Sequence, residues 1–414
     1  MSEHSTSNTL ADPAIADASR WQQFREVFLI FLRLGLTSFG GPVAHLGYFR
    51  DEFVQRRQWL SDRSYADLVA LCQFLPGPAS SQVGLGLGMS RAGYTGAAAA
   101  WLGFTMPSAL VLIALAMSIS VLGESFPHGA LQGLKVVAVA VVAQAVWGMG
   151  NNLCVGKLKI SLMAVAAAVV LLVPSVLTPV LVILAAGLIG VWKIAPEARD
   201  PEDFLPIKTD RAHAKRWLIA FFVLLGGLPL LVAMTDSQSL TLFDAFYRAG
   251  ALVFGGGHVV LPLLQSEVVT TGWVEKDAFL AGYGAAQAVP GPLFTFAAFL
   301  GTAAEGDTVF AGGLLGGLFC LVAIFLPSFL LIAGALPYWE SLRADSRLQA
   351  ALSGVNAAVV GILLAALYNP VWTSAVHSAA DFVMVLLALI ALMVWKLPPW
   401  LVVIGSGVIG WAVL

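Results

Sequence analysis

Residues 33–42 read RLGLTSFGGP and residues 248–257 read RAGALVFGGG, while residues 73–78 read QFLPGP and residues 287–292 read QAVPGP. Two pairs of motifs in the same order, 214 to 215 residues apart, mark the chain as a duplicated unit. Between them Glu52 aligns with Glu267 and Trp59 with Trp273; further on, MPS at Met106 matches LPS at Leu326, the spacing having drifted to about 220. With 20 Pro and 41 Gly in 414 residues, Pro-Gly-Pro should arise by chance well under once, so two copies in register reflect duplication.

Outward from these motifs the chain is a series of apolar stretches: Gly96–Leu122, Gly129–Gly148, Ile160–Val176, Leu177–Trp192, Trp217–Met234, Phe310–Leu336, Ala350–Tyr368, Phe382–Trp395 and Trp400–Leu414. Apolar stretches of about 17 to 25 residues are the signal of membrane-spanning helices, and these, the shortest being 14 residues, are read as such. Hydrophobic residues make up 59% of the chain and charged residues 11%, against about 25% charged in ordinary soluble proteins. So few polar groups cannot cover a soluble domain, and the composition predicts an integral membrane protein. The net charge of -2 gives no footprint for a nucleic-acid partner. Cys72, Cys154 and Cys320 lie far apart in apolar stretches and read as packing residues, not as a disulfide framework or a metal cluster. The polar start, with Glu3, Asp12 and Asp17, does not read as a cleaved signal peptide.

The expected division is a polar cytoplasmic tail (1–23), a first repeat (24–193), a charged linker (194–216) with Pro196, Pro201 and Pro206, an extra spanning helix (217–234) and a second repeat (235–414). Orientation follows from Lys and Arg in short loops. In the first repeat Arg20, Arg25, Arg50, Arg56, Arg57, Arg63, Arg91, Lys157, Lys159 and Lys193 mark one face; in the second the matching loops keep only Lys276, and Arg343, Arg347 and Lys396 fall where the first repeat had none. The copies are therefore expected to be inverted, turned over by the extra helix. If the tail, the Arg50–Arg63 loop and Arg91 share a face, Val27–Leu46 and Ser64–Ser90 must each enter and leave on one side. About 12 residues on either side of Pro76 and Pro78 reach roughly 18 Å, half a bilayer, so Pro-Gly-Pro becomes the tip of a re-entrant hairpin. The same holds for Ala278–Ala304. The competing reading lets Val27–Gly41 cross outright and puts four arginines outside. The fold class expected is an all-α polytopic membrane protein of two inverted-topology repeats with broken or re-entrant helices.

Arg33, Lys135 and Arg248 lie inside apolar segments, where a cation costs at least about 2.5 to 3.5 kcal/mol. One reading makes Arg33 and Arg248, which are repeat equivalents, a positive site for an anion; another has them snorkel to the interface or pair with Glu26 and Asp244. The glycine and proline breaks favour an anion path. Proline removes a backbone donor and a half-helix beginning after the break presents free N–H groups near the bilayer middle, where oxyanions bind. Ser80, Ser81 and Thr295 would add hydroxyls, with Gln73 and Gln287 one turn before the breaks. The same breaks also serve as structural kinks. His45 and His258 read as proton carriers or as hydrogen-bonded histidines. The G-x-G-x-G run at Gly84, Gly86 and Gly88 has no preceding strand and is no nucleotide fingerprint, and Gly312, Gly313, Gly316 and Gly317 read as close helix packing. Nothing in the sequence outlines a catalytic or metal site, so neither enzymatic activity nor a cofactor is expected.

The FGGPVAHLGYFRDEF run at Phe39, RRQWL at Arg56 and LCQFLPGPASSQVG at Leu71, with FGGGHVVLPLL at Phe254 and AAQAVPGP at Ala285, resemble the chromate ion transporter family in its long, duplicated form, over nearly the whole chain after about residue 20. The resemblance implies a bacterial inner-membrane protein, N-terminus cytoplasmic and C-terminus periplasmic, that exports chromate and confers resistance, with sulfate as analogue. An oxyanion exchanger or anion channel of the same topology is the alternative. Expected partners are chromate and sulfate, the lipid bilayer and no nucleic acid, a homodimer being an open option. The family motif falls on Arg33, Gly40, Gly41, Pro42, Gln73, Pro76, Gly77, Pro78, Arg248, Gly255, Gly256, Gly257, Pro290, Gly291 and Pro292. The copies differ where Gly257 replaces Pro42 and Asn356 replaces Lys135.

Overall fold

The computed structural model describes residues 13–38, 41–122, 128–173, 175, 178–194, 211–254, 259–306, 308–338 and 345–413, and all regular structure among them is helical. Five helical stretches, Ala79–Val121, Gly129–Leu153, His213–Met234, Gly313–Tyr338 and Ser346–Ala375, are long and apolar enough to cross a membrane. Large apolar side chains such as Leu188, Phe222 and Leu230 stand exposed on the outer helices. In water such a surface would drive aggregation; against lipid it is the expected face. The chain is an all-α polytopic membrane protein.

The first repeat opens with α1 (Pro13–Thr37) and α2 (Gly41–Arg50), the latter running into a π-helical turn, Asp51–Arg56. Next come α3 (Asp62–Phe74) and α4 (Ala79–Leu122). Ser61 starts α3 by accepting the Ser64 N–H, and Leu75, extended because Pro76 follows, ends it. Non-helical Ala92 and Gly93 divide α4 into limbs 79–91 and 94–122. These limbs fold back on each other: a Cβ on Gly88 would lie 2.3 Å from the Gly96 carbonyl oxygen, and one on Gly96 2.1 Å from that of Gly88. Eight residues of straight helix would hold these backbones about 12 Å apart. Limb 79–91, like α3, is about 20 Å long, or half a bilayer.

The hairpin bases share one face. Arg91 bonds Glu26, midway along α1 (3.1 Å), Arg57 lies 3.9 Å from the same carboxylate, and the Arg91 guanidinium sits 5.3 Å from the centre of the Trp59 ring. Both segments thus enter and leave on this first face, which excludes the reading in which Val27–Gly41 crosses outright.

The second repeat repeats the design with α9 (Gln238–Ala251), α10 (Val260–Val268), α11 (Lys276–Ala286), α12 (Phe296–Ala303) and α13 (Gly313–Ala335). Gly301 and Gly316 touch as Gly88 and Gly96 do, each 2.3 Å from the other's carbonyl oxygen once a Cβ is added. At its base Gln238 bonds the Glu305 carbonyl and the Glu305 N–H bonds that of Trp273. Matching long helices run in opposite directions. Tyr94, at the start of limb 94–122, lies against Phe329 late in α13 (6.4 Å between ring centres). Trp101 meets Phe325 (5.7 Å), and Ile113 lies beside Gly317 early in α13. A two-fold relation that reverses helix direction has its axis across the helices, so the repeats are inverted. The helix α8 (Arg211–Met234), which lies between the repeats, begins six residues before the predicted Trp217. Its start is at the first face, where Trp217 bonds Tyr94. Most of the expected linker, residues 195–210, lies outside the described residues.

Sequence reading did not foresee how the halves interlock. α5 (His128–Leu153), α6 (Lys157–Leu172) and α7 (Thr178–Lys193) correspond to α14 (Ser346–Ala366), α15 (Ala379–Met393) and α16 (Pro399–Val413). The last helix of each repeat packs on the other repeat. A Cβ on Gly190 of α7 would lie 2.3 Å from the Ala350 carbonyl oxygen of α14; one on Gly410 of α16 would lie 2.3 Å from that of Gly129 in α5. Backbones this close admit only small residues.

Candidate functional site

Four broken-helix tips meet at the pseudo-two-fold axis. The Gly77 N–H donates to the Val253 carbonyl (2.6 Å) and the Gly291 N–H to the Ser38 carbonyl (2.9 Å). Gly77 and Gly291 are equivalents, as are Ser38 and Val253, so each Pro-Gly-Pro tip closes the end of the other repeat's first helix by the same bond. Proline brackets force the break, and both glycines sit at positive φ (+119 and +100). A Cβ on Gly77 would meet Ser328 Oγ at 2.7 Å, and one on Gly291 would meet Ser108 Oγ at 2.9 Å. Ser108 and Ser328 are again equivalents, each following a mid-helix proline, Pro107 or Pro327.

Around this junction polar groups are buried. His45 is 1% exposed; its Nε2 donates to the Ser38 carbonyl (3.2 Å), which can only accept, so in the neutral ring Nδ1 accepts from the Ser80 hydroxyl (3.4 Å). Gln82 Nε2 donates to the Pro76 carbonyl (2.7 Å) and holds the tip. The Ser38, Ser81, Thr105 and Ser328 hydroxyls and Gln82 Oε1 are buried with no hydrogen-bond partner among the described residues.

The structure sorts the sequence-derived candidates. Pro76, Gly77, Pro78, Ser80, Ser81, Pro290, Gly291 and Pro292 come together at the tips, and Gly41 with Pro42 opens α2 beside them. Gly40, Gly255, Gly256, Gly257 and His258 lie outside the described residues. The Thr295 hydroxyl donates to the Pro292 carbonyl (2.7 Å) and so shapes its own tip. Gln73 is exposed on α3, whereas Gln287 Nε2 is buried and has no partner among the described residues. Both arginines are ion-paired, and in equivalent ways: Arg33 to Glu52, Arg248 to Glu267 (3.2 Å) and also to Asp244 (2.9 Å). Of the alternative pairing with Glu26 and Asp244, the Arg248–Asp244 half is observed and the Arg33–Glu26 half is corrected. Glu26 sits at the face with Arg57 and Arg91, while Arg33 reaches the π-helical turn after α2. Lys135 pairs across the repeats with Asp277 on α11 (3.0 Å).

Ser38, Gln82, Thr105, Ser108 and Ser328 escaped the sequence reading. The MPS and LPS match pointed to Ser108 and Ser328, but only as a repeat marker. At the first face a cavity of about 590 Å³ is lined by Arg57, Arg91, Trp59 and Glu26 among others. No group of metal-ligating side chains occurs among the described residues.

Inverted repeats of broken helices whose half-helix ends converge at the centre define a membrane transporter architecture. The sequence profile of the chromate transporter family matches residues 25–191 and 240–411, one copy in each repeat, and the chain belongs to that family. It is 29% identical to the chromate transport protein of Pseudomonas aeruginosa over 94% of this chain and 92% of that protein. It is likewise 29% identical to the chromate transport protein of Cupriavidus metallidurans (93% and 92%) and 26% identical to an uncharacterized transporter of Methanocaldococcus jannaschii (82% of each). No solved structure matches the chain.

Proposed function

We propose that the chain exports chromate from the cytoplasm across a bacterial inner membrane and thereby confers chromate resistance. The observation that carries this reading is the tip junction, where half-helix N-termini and buried hydroxyls from both repeats converge with donors suited to a small oxyanion. The names of the relatives supply chromate as that anion. Arg50, Arg56, Arg57 and Arg91 on the first face support a cytoplasmic N-terminus. α13 and α14 cross from the base of the second repeat and return, and α15 and α16, 15 residues each, are a pair that ends on the side where it starts, which leaves the C-terminus periplasmic. A dianion leaving a negative-inside cell gains about 4.6 kcal/mol per 100 mV, so export needs no coupled cation.

The test is uptake of labelled chromate into everted vesicles under an imposed potential, with and without a pH gradient. Saturable, potential-dependent uptake competed by sulfate is expected. Uptake no greater than in vesicles lacking the protein would overturn the reading, and non-saturating anion currents would assign a channel instead.

A further inference from the structure

Both arginines that invite an anion site are ion-paired, Arg248 to Asp244 and Glu267 and Arg33 to a Glu52 that it shares with Arg56 and Arg57, while the buried groups left without partners at the junction are neutral. We propose that the transported oxyanion is held by neutral donors, the hydroxyls of Ser38, Ser81, Thr105 and Ser328 and the free N–H groups opening limb 79–91, and that Arg33 and Arg248 brace their hairpins. The inference rests on the oxyanion-carrier reading above.

Many other hydroxyls in these helices return their proton to a carbonyl one turn back, as Thr37 does to Arg33, Ser118 to Ala114, Ser161 to Lys157 and Thr302 to Ala298, and two more without a partner among the described residues, Thr308 and Ser374, lie on other segments. Four hydroxyls that do not, all at most 4% exposed, lie on segments that touch at a single junction. Ser38 ends α1 and its carbonyl receives the Gly291 N–H; Ser81 lies in the first turn after Pro78. Thr105 follows Phe104, whose carbonyl faces Gly291, and Ser328 faces Gly77. Native proteins seldom leave such groups unsatisfied without a ligand or water to meet them. The first intrahelical bond of limb 79–91 is Gln82 N–H to the Pro78 carbonyl, so the N–H groups of Ala79, Ser80 and Ser81 precede the ladder, at the positive end of the helix dipole. The arginines are held elsewhere. Arg33 reaches Glu52, which Arg57 also holds at 2.7 Å, in the charge network at the first face. A site of hydroxyls and amides can hold a desolvated oxyanion and still release it, because no fixed counter-charge must be separated from it.

The test compares wild type with Ser81→Ala, Thr105→Val and Ser328→Ala, and with the charge-neutral double variant R33Q/E52Q, in chromate uptake by everted vesicles. Chromate-dependent thermal stabilisation of the purified chain serves as a binding readout independent of flux. Each hydroxyl deletion should raise the KM for chromate roughly tenfold or more at unchanged membrane abundance. Ser328→Thr, which keeps the hydroxyl, should restore it. Hydroxyl variants with wild-type KM and wild-type stabilisation would overturn the inference, as would a KM raised by R33Q/E52Q alone. A wild-type chain that moves neither chromate nor sulfate would instead overturn the carrier reading beneath it.

Discussion

Replacing Gly77 or Gly291 by alanine tests the junction directly. At φ +119 and +100 an L-residue pays about 1–3 kcal/mol of backbone strain. In Gly77→Ala the new Cβ would also press on Ser328 Oγ (2.7 Å) and Gln82 Nε2 (2.8 Å). Turning Gln82 away forfeits its bond to the Pro76 carbonyl, about 0.5–1.5 kcal/mol. Together the penalty is about 1.5–4.5 kcal/mol against the joined-tip state, which shifts its population by roughly 10- to 1,600-fold. Gly291→Ala should be the harsher change, because one of its neighbours, 3.0 Å away, is the main-chain oxygen of Phe104, held in a helix. The expected outcome is chromate flux reduced at least tenfold in both, with an apparent Tm several degrees lower in detergent. Gly226→Ala is the control. It lies inside α8 with open space around its missing Cβ, and alanine there should be neutral or stabilise by up to about 1 kcal/mol. If the two tip variants behave like Gly226→Ala in both flux and Tm, the closed reciprocal junction is not part of the working protein.

Three further outcomes are expected. Charge reversal of either Arg248 or Glu267 alone should lower the yield of folded protein, because it leaves like charges facing in a partly buried site; the exchange R248E/E267R should recover only part of it, because the new glutamate would lie against buried Asp244, measured as monodisperse protein by size exclusion. Leucine at Gly190 or Gly410 cannot fit against a backbone 2.3 Å from its Cβ, and should cost about 1–3 kcal/mol or more by forcing the exchanged helices apart, seen as a lower Tm; alanine should cost less than leucine. Because the native cysteines are buried, single cysteines at Gln58 and Glu305 should react with an impermeant thiol reagent from opposite sides of the membrane; labelling from one side would refute the inversion.

Much of this architecture was legible in the residues because its signals are local. A scarcity of charge is a property of composition, and a bilayer permits little else. Pro-Gly-Pro forbids a continuous helix wherever it occurs, and 13-residue limbs on either side are too short to cross. The asymmetric placement of Arg and Lys recorded the inversion before any contact was known, because loops carry that signal without reference to their neighbours.

Other properties depend on which distant segments meet. The carboxylate that pairs with Arg33 is 19 residues away across a hairpin, and the partner of Lys135 is 142 residues away in the other repeat. Glycines at 190 and 410 look like ordinary helix glycines until another helix of the opposite repeat lies on them. Ser328 is one serine among many in the sequence. Its hydroxyl is unusual because the fold buries it opposite the Gly77 tip and leaves it without a partner. The sequence alone determined a duplicated, inverted, helical membrane protein with broken segments. Tertiary structure decided which charges were neutralised and which neutral groups remained free, since hydrogen bonds and ion pairs form only between groups that the packing of remote segments brings within about 3 Å.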